Sequence, residues 1–153
     1  MEAYSKVNLA VETGVDEDFY FEYLRDSHSG IQFVLKGSKS LSTLEINFKF
    51  VYSYTKTNES YRLSTLNKIP DNRYLMLQVE GSDYLDWFHS ESQGIYSNKT
   101  VYHFMFVAGD YLLDVLSNSV PEIKFQLGDT QESQFIPVDV KGVELKKKGA
   151  DLI

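Results

Sequence analysis

"LEINFKFVYSY", residues 44–54, alternates with a period of two. Ile46, Phe48, Phe50, Tyr52 and Tyr54 fall on one side, and Glu45, Asn47, Lys49, Val51 and Ser53 on the other. Only an extended chain puts every second residue on one face. The spacing therefore predicts one unbroken, half-buried strand over 44–54, with Phe48 and Phe50 in the core.

The same reading extends in both directions. "KVNLAVE" alternates through Val7, Leu9 and Val11, and "GIQFVLKGSKS" predicts a strand from Ile31 to Lys36 closed by a Gly-Ser turn. In "DEDFYFEYLRDS", Phe19, Phe21 and Tyr23 alternate. That favours a strand over 18–25, although the preceding acids would also suit the first turn of a helix. "RYLMLQVE" predicts a strand from Tyr74 to Glu80. In "VYHFMFV", Tyr102, Phe104 and Phe106 oppose Val101, His103, Met105 and Val107. "AGD" resembles a hairpin turn into "YLLDVLS", with Tyr111, Leu113 and Val115 on one face and Asp114 on the other. A helix over 110–117 is the competing reading. "EIKFQL" supplies another strand, and "QFIPVDV" an edge strand, because Pro137 removes a ladder donor.

One segment breaks the period. After Gly81, Ser82 is suited to cap a helix, and Asp83 and Asp86 suit its first turn. Tyr84, Leu85 and Phe88 share a side at helical spacing, with Trp87 at its edge. A short helix from Asp83 to about Glu91 is expected, stopped near Gly94. The sum is an α+β fold: a mainly antiparallel β-sheet with one or two short helices. The pattern equally allows a curled sheet or an open barrel. Residues 1–145 read as a single globular domain and 146–153, with three consecutive lysines, as a flexible C-terminal tail.

Composition narrows the chemistry. The chain has no cysteine, which removes disulfides, thiolate catalysis and Cys-based zinc sites. The net charge of -7 disfavours nucleic acid and anionic membranes and favours a basic partner. No basic, then apolar, leader opens the sequence, and no apolar run is long enough to span a bilayer, so a cytoplasmic protein is expected.

Motifs that name a reaction are missing. His28, His89 and His103 have no metal-ligand spacing, so neither a metal nor a cofactor is expected. There is no G-x-S-x-G elbow and no phosphate-cradling glycine loop. What remains is a face. Asp83, Asp86 and Glu91 border Tyr84 and Trp87, with Tyr96 and Tyr102 close in sequence. Trp and Tyr are common interface anchors, and clustered acids speed capture of a basic protein. The plainer alternative puts Trp87 in the core and leaves the acids to solubilise.

The block "YLMLQVEGSDYLDWFHSESQGIY" followed by "VYHFMFVAGDYLLDVLSNSVPEI" resembles small bacterial immunity proteins of contact-dependent inhibition and polymorphic toxin systems. The likeness covers Tyr74 to Ile123 and rests on spacings such as "WFHSES" and "YHF". It brings no catalytic residue. It implies a cytoplasmic binder that neutralises a basic toxin domain, such as a nuclease. Two other readings compete. One is a small-molecule binder lined by Phe48, Phe50, Tyr52, Phe104 and Phe106. The other is a hydrolase using His103 with an acid. The oligomeric state is left open.

Overall fold

In a computed structural model, residues 1–9, 11, 17–69, 74–128 and 132–141 are described. The expected tail at 146–153 lies outside them, as does Asp16, the first of the acids that precede Phe19.

Among the described residues ten strands form two antiparallel sheets. The first sheet holds β1 (Ala3–Lys6), β6 (Met76–Glu80), β7 (Tyr102–Ala108), β8 (Tyr111–Ser117) and β5 (Ser53–Asn58), in that spatial order. The second holds β10 (Gln134–Ile136), β9 (Glu122–Gln126), β4 (Thr43–Phe48), β3 (Gly30–Gly37) and β2 (Phe19–Ser27). The same residues hold two short α-helices, α1 (Leu63–Leu66) and α2 (Asp83–Glu91). The mainly antiparallel α+β expectation is met, in the form of a two-sheet sandwich.

Both sheets contribute to one core. Phe33, Ile46, Phe48 and Ile123 of the second sheet meet Met76, Phe104, Phe106 and Val115 of the first. The rings interlock: Phe33 sits edge-on to Phe106 with centroids 4.8 Å apart, and Phe48 lies 6.1 Å from both Phe104 and Phe106. A smaller apolar cluster, Leu77, Val79, Met105 and Leu112, lies on the opposite side of the first sheet and is covered by Ile69 and Leu66. The two faces of β7 therefore separate as its alternation implies.

The unbroken strand over 44–54 is not what forms. β4 ends at Phe48, which is 2% exposed, and β5 begins at Ser53. Residues 49–52 carry the chain from one sheet to the other, so the ladder partners change there. Phe50 is consequently 46% exposed rather than buried. The crossing is tight: at Gly30 (φ +112°) a Cβ would lie 2.0 Å from the Phe48 carbonyl oxygen.

The N-terminal strand also shifts. β1 covers Ala3–Lys6, while Val7, Leu9 and Val11 pack against the core beyond its end. The ambiguous 18–25 and 110–117 segments are both strands. In β2 the register shifts between Phe21 and Tyr23, so Leu24 replaces Tyr23 on the inner side.

Candidate functional site

Helix α2 forms where the capping pattern places it. Ser82 Oγ accepts from the Leu85 N–H at 3.0 Å, satisfying one of the open donors of the first turn. The helix shows two faces. Tyr84, Leu85 and Phe88 turn partly inward. Asp83, Asp86, Trp87, Ser90 and Glu91 are exposed, the i, i+3, i+4, i+7, i+8 stripe of an outward helix face. Trp87 lies within this stripe and is 51% exposed, so it is a surface residue.

The acids differ in their reason for being there. Asp83 and Asp86 lie in the first turn, where the helix dipole favours negative charge. Glu91 lies in the last turn, where the dipole opposes it. Helix stability therefore gives no account of Glu91.

Trp87 stacks on Tyr84, with centroids 5.6 Å apart and planes 21° apart. The Tyr84 hydroxyl shares a hydrogen bond with the Ser53 hydroxyl at the start of β5. Burial raises the pKa of that phenol, and the charge of Asp114 adds to the rise against the opposing Ser53 bond. Beside this pair runs a second row of rings. Phe50 is edge-on to Tyr52 at 4.8 Å, and Tyr52 contacts Phe88 at 5.1 Å and Tyr96 at 5.4 Å. Alternation puts Phe50 in the core with Tyr52 on the same side; because the chain crosses between sheets at 49–52, Phe50 is exposed instead and Tyr52 is half-buried at this surface. Tyr96 follows the helix after Gly94, which turns with φ +72°.

Tyr102 is not on this face. It is 8% exposed, on the core side of β7, and stacks on Phe104 at 5.6 Å. Alternation along β7 already puts it with Phe104 and Phe106; closeness in sequence to Trp87 was the weaker guide. The interior ligand pocket also lacks its lining. Phe48, Phe104 and Phe106 are closed into the core, while Phe50 stands outside.

Beneath α2 lies a polar chain that no motif announces. Ser82 Oγ and His103 Nδ1 are 2.6 Å apart, His103 Nε2 and Asp114 Oδ1 are 2.7 Å apart, and Arg62 Nη1 donates to Asp114 Oδ2 at 2.7 Å. Ser82, His103 and Asp114 are all buried. An ionised carboxylate only accepts, so His103 Nε2 carries the proton it shares with Asp114. Ser82 Oγ, which accepts from the Leu85 N–H, shares a second hydrogen bond with His103 Nδ1. Burial pushes the Asp114 carboxyl up, but the bonds from His103 and Arg62 outweigh it and hold the pKa below its ordinary value.

The order Ser–His–Asp invites comparison with nucleophilic catalysis. A cleft of about 300 Å³, bordered by Tyr4, Arg62, Lys68 and Tyr84, reaches His103 and Asp114. Ser82 differs from an activated nucleophile in three respects. It is buried, its oxygen caps a helix, and its backbone is unstrained at φ -75°. The neighbouring Asp83 N–H, which would face a developing oxyanion, donates to Glu2 Oε2 at 3.1 Å. The ring of His103 instead supports Tyr84 edge-on at 5.5 Å. The network thus ties the start of α2 to β7 and β8 and holds Tyr84 beneath Trp87.

His28 is exposed and His89 half-buried, and neither belongs to this chain of bonds. Among the described residues no group of three or more His, Asp or Glu is placed to hold a metal ion. None of their helices is long and apolar enough to cross a membrane.

Comparison with protein-family models, curated proteins and solved structures finds no match.

Proposed function

We propose that this is a cytoplasmic binding protein of immunity or antitoxin type, which neutralises a basic toxin domain by covering its active site or an adjacent surface. The observation that carries the reading is Trp87, half exposed on a helix face that otherwise presents Asp83, Asp86, Ser90 and Glu91. An exposed tryptophan among acids loses nothing of the core when it binds a partner. It can anchor the contact while the acids guide a basic surface toward it. Where the toxin is a nuclease, carboxylates would occupy the cations that otherwise meet phosphate. The sequence resemblance from Tyr74 to Ile123 supports the same class.

In this reading the protein is not an enzyme. The Ser82–His103–Asp114–Arg62 chain is a brace, since the Ser82 oxygen, both His103 ring nitrogens and both Asp114 carboxylate oxygens already make bonds within the fold.

Immunity genes usually adjoin the gene of the toxin they counter, so co-expression with the product of the neighbouring gene tests the proposal. The wild-type chain should restore growth to cells poisoned by that product. A Trp87→Ala, Asp86→Asn variant that melts like wild type should protect poorly. Full protection by that variant would move the interface elsewhere. Absence of any toxic neighbour and any bound protein would contradict the immunity assignment.

A further inference from the structure

We infer that Trp87 is a shelf for an arginine side chain of the partner, and that the docking surface continues across Phe50 and Tyr52 to Tyr96. The inference rests on the binding-protein reading above and specifies the chemistry of its contact.

The protein satisfies several of its own aromatic rings with cations. Lys56 Nζ lies 3.6 Å from the Tyr111 ring centre, Lys6 Nζ 4.5 Å from Tyr74, Lys124 Nζ 5.2 Å from Phe135, and the Arg25 guanidinium 5.7 Å from Tyr23. Trp87 offers the strongest π face of any side chain. Among the described residues no lysine or arginine lies over it. One face of the indole is backed by Tyr84, and half of the residue remains open to solvent.

The surroundings select a cation. Asp83 and Glu91 lie one helical turn to either side of Trp87, and Asp86 precedes it. A planar guanidinium can stack on an indole and still direct N–H donors in its own plane to flanking carboxylates. An ammonium is a point charge and cannot do both as well. The next residue of the helix, Phe88, contacts Tyr52 and Tyr96; with half-buried Tyr52 and Tyr96 and exposed Phe50, this row borders the helix next to a groove of about 330 Å³ along residues 49–54. The occupant that fits is a basic protein segment: arginine on the shelf, apolar side chains along the row.

Trp87 is the chain's single tryptophan, so its emission reports on the shelf directly. The full chain is titrated with octa-arginine and octa-lysine, and affinities are read independently by anisotropy of the labelled peptides. Octa-arginine should perturb Trp87 emission saturably and bind more tightly than octa-lysine. Trp87→Ala should weaken it about threefold to fivefold, as expected of an exposed cation–π contact. Asp83→Asn with Glu91→Gln should weaken it to a similar degree, about fivefold. Asp110→Asn, an equal charge change at the β7–β8 turn, should have less effect than Asp83→Asn or Glu91→Gln made singly. Thermal melts confirm that each variant is folded. Equal affinity for the two peptides would overturn the guanidinium assignment. Binding that leaves Trp87 emission and the Trp87→Ala affinity unchanged would overturn the shelf while leaving an acidic binder in place. Failure of both peptides to bind would overturn the inference, and the protection assay then judges the broader reading separately.

Discussion

Asp114→Ala removes the acceptor that His103 and Arg62 share, and its cost follows from where each donor is left. His103 stays buried, with the Nε2 proton facing a cavity. Arg62 is 24% exposed and can turn toward water, so its share is discounted. Breaking a fully buried pair costs about 3–5 kcal/mol; the lower end, about 3 kcal/mol, is expected here. For a domain of this size that lowers Tm by about 9 °C. Urea unfolding followed by circular dichroism gives the free energy, and thermal melts the shift. The pH dependence supplies a second constraint. The folded-state pKa of Asp114 is depressed, so its contribution is complete above the ordinary aspartate range. It is lost as pH falls through the lowered value. The gap between wild type and variant should therefore be full at neutral pH and close in acid. A loss below about 1 kcal/mol at neutral pH, the size of one ordinary hydrogen bond, would refute the brace. So would a gap that does not change with pH.

Phe48→Ala should cost about 3–5 kcal/mol in urea unfolding, whereas Phe50→Ala, outside the core, should cost less than about 1 kcal/mol. Ser82→Ala removes both a helix cap and the bond to His103, and should cost about 1–2 kcal/mol by the same method. Gly30→Ala forces a Cβ against the Phe48 carbonyl at a positive φ, so a loss of at least about 2 kcal/mol is expected from strain alone.

The strands were legible wherever one local period coincided with one ladder. β3, β7 and β8 each keep a single pair of neighbours along their length, and their alternation separates core from outer face correctly. The stretch over 44–54 misled for the same physical reason. Its period continues through a change of sheet, and alternation carries no mark of where hydrogen-bond partners are exchanged. The helix was readable because Ser82, Asp83 and Gly94 act locally. The face on α2 was readable for Asp83, Tyr84, Asp86, Trp87 and Glu91, while Tyr102 was misplaced by sequence proximity. Phe50 shares the period of the buried Phe48, so alternation alone does not reveal that it is exposed.

The Ser82–His103–Asp114–Arg62 chain spans four separate segments, so no motif contains it. A partial signal existed. A hairpin turning at Gly109 puts His103 and Asp114 on the same outer face of paired strands, where Met105 lies opposite Asp114. Arg62 and Ser82 enter only through the packing of their segments on that sheet.

Association kinetics with the neighbouring gene's product test the central claim most directly. Exposed charges are screened over about 8 Å at physiological ionic strength. If the acidic, aromatic face of α2 captures the partner, added salt should slow association more than it speeds dissociation. Asp83→Asn and Asp86→Asn should reproduce part of that slowing. Trp87→Ala should leave the melting temperature nearly unchanged and speed dissociation about thirtyfold, the weight of a central anchor worth about 2 kcal/mol. Salt-independent association, with a folded Trp87→Ala variant binding as wild type does, would contradict the account.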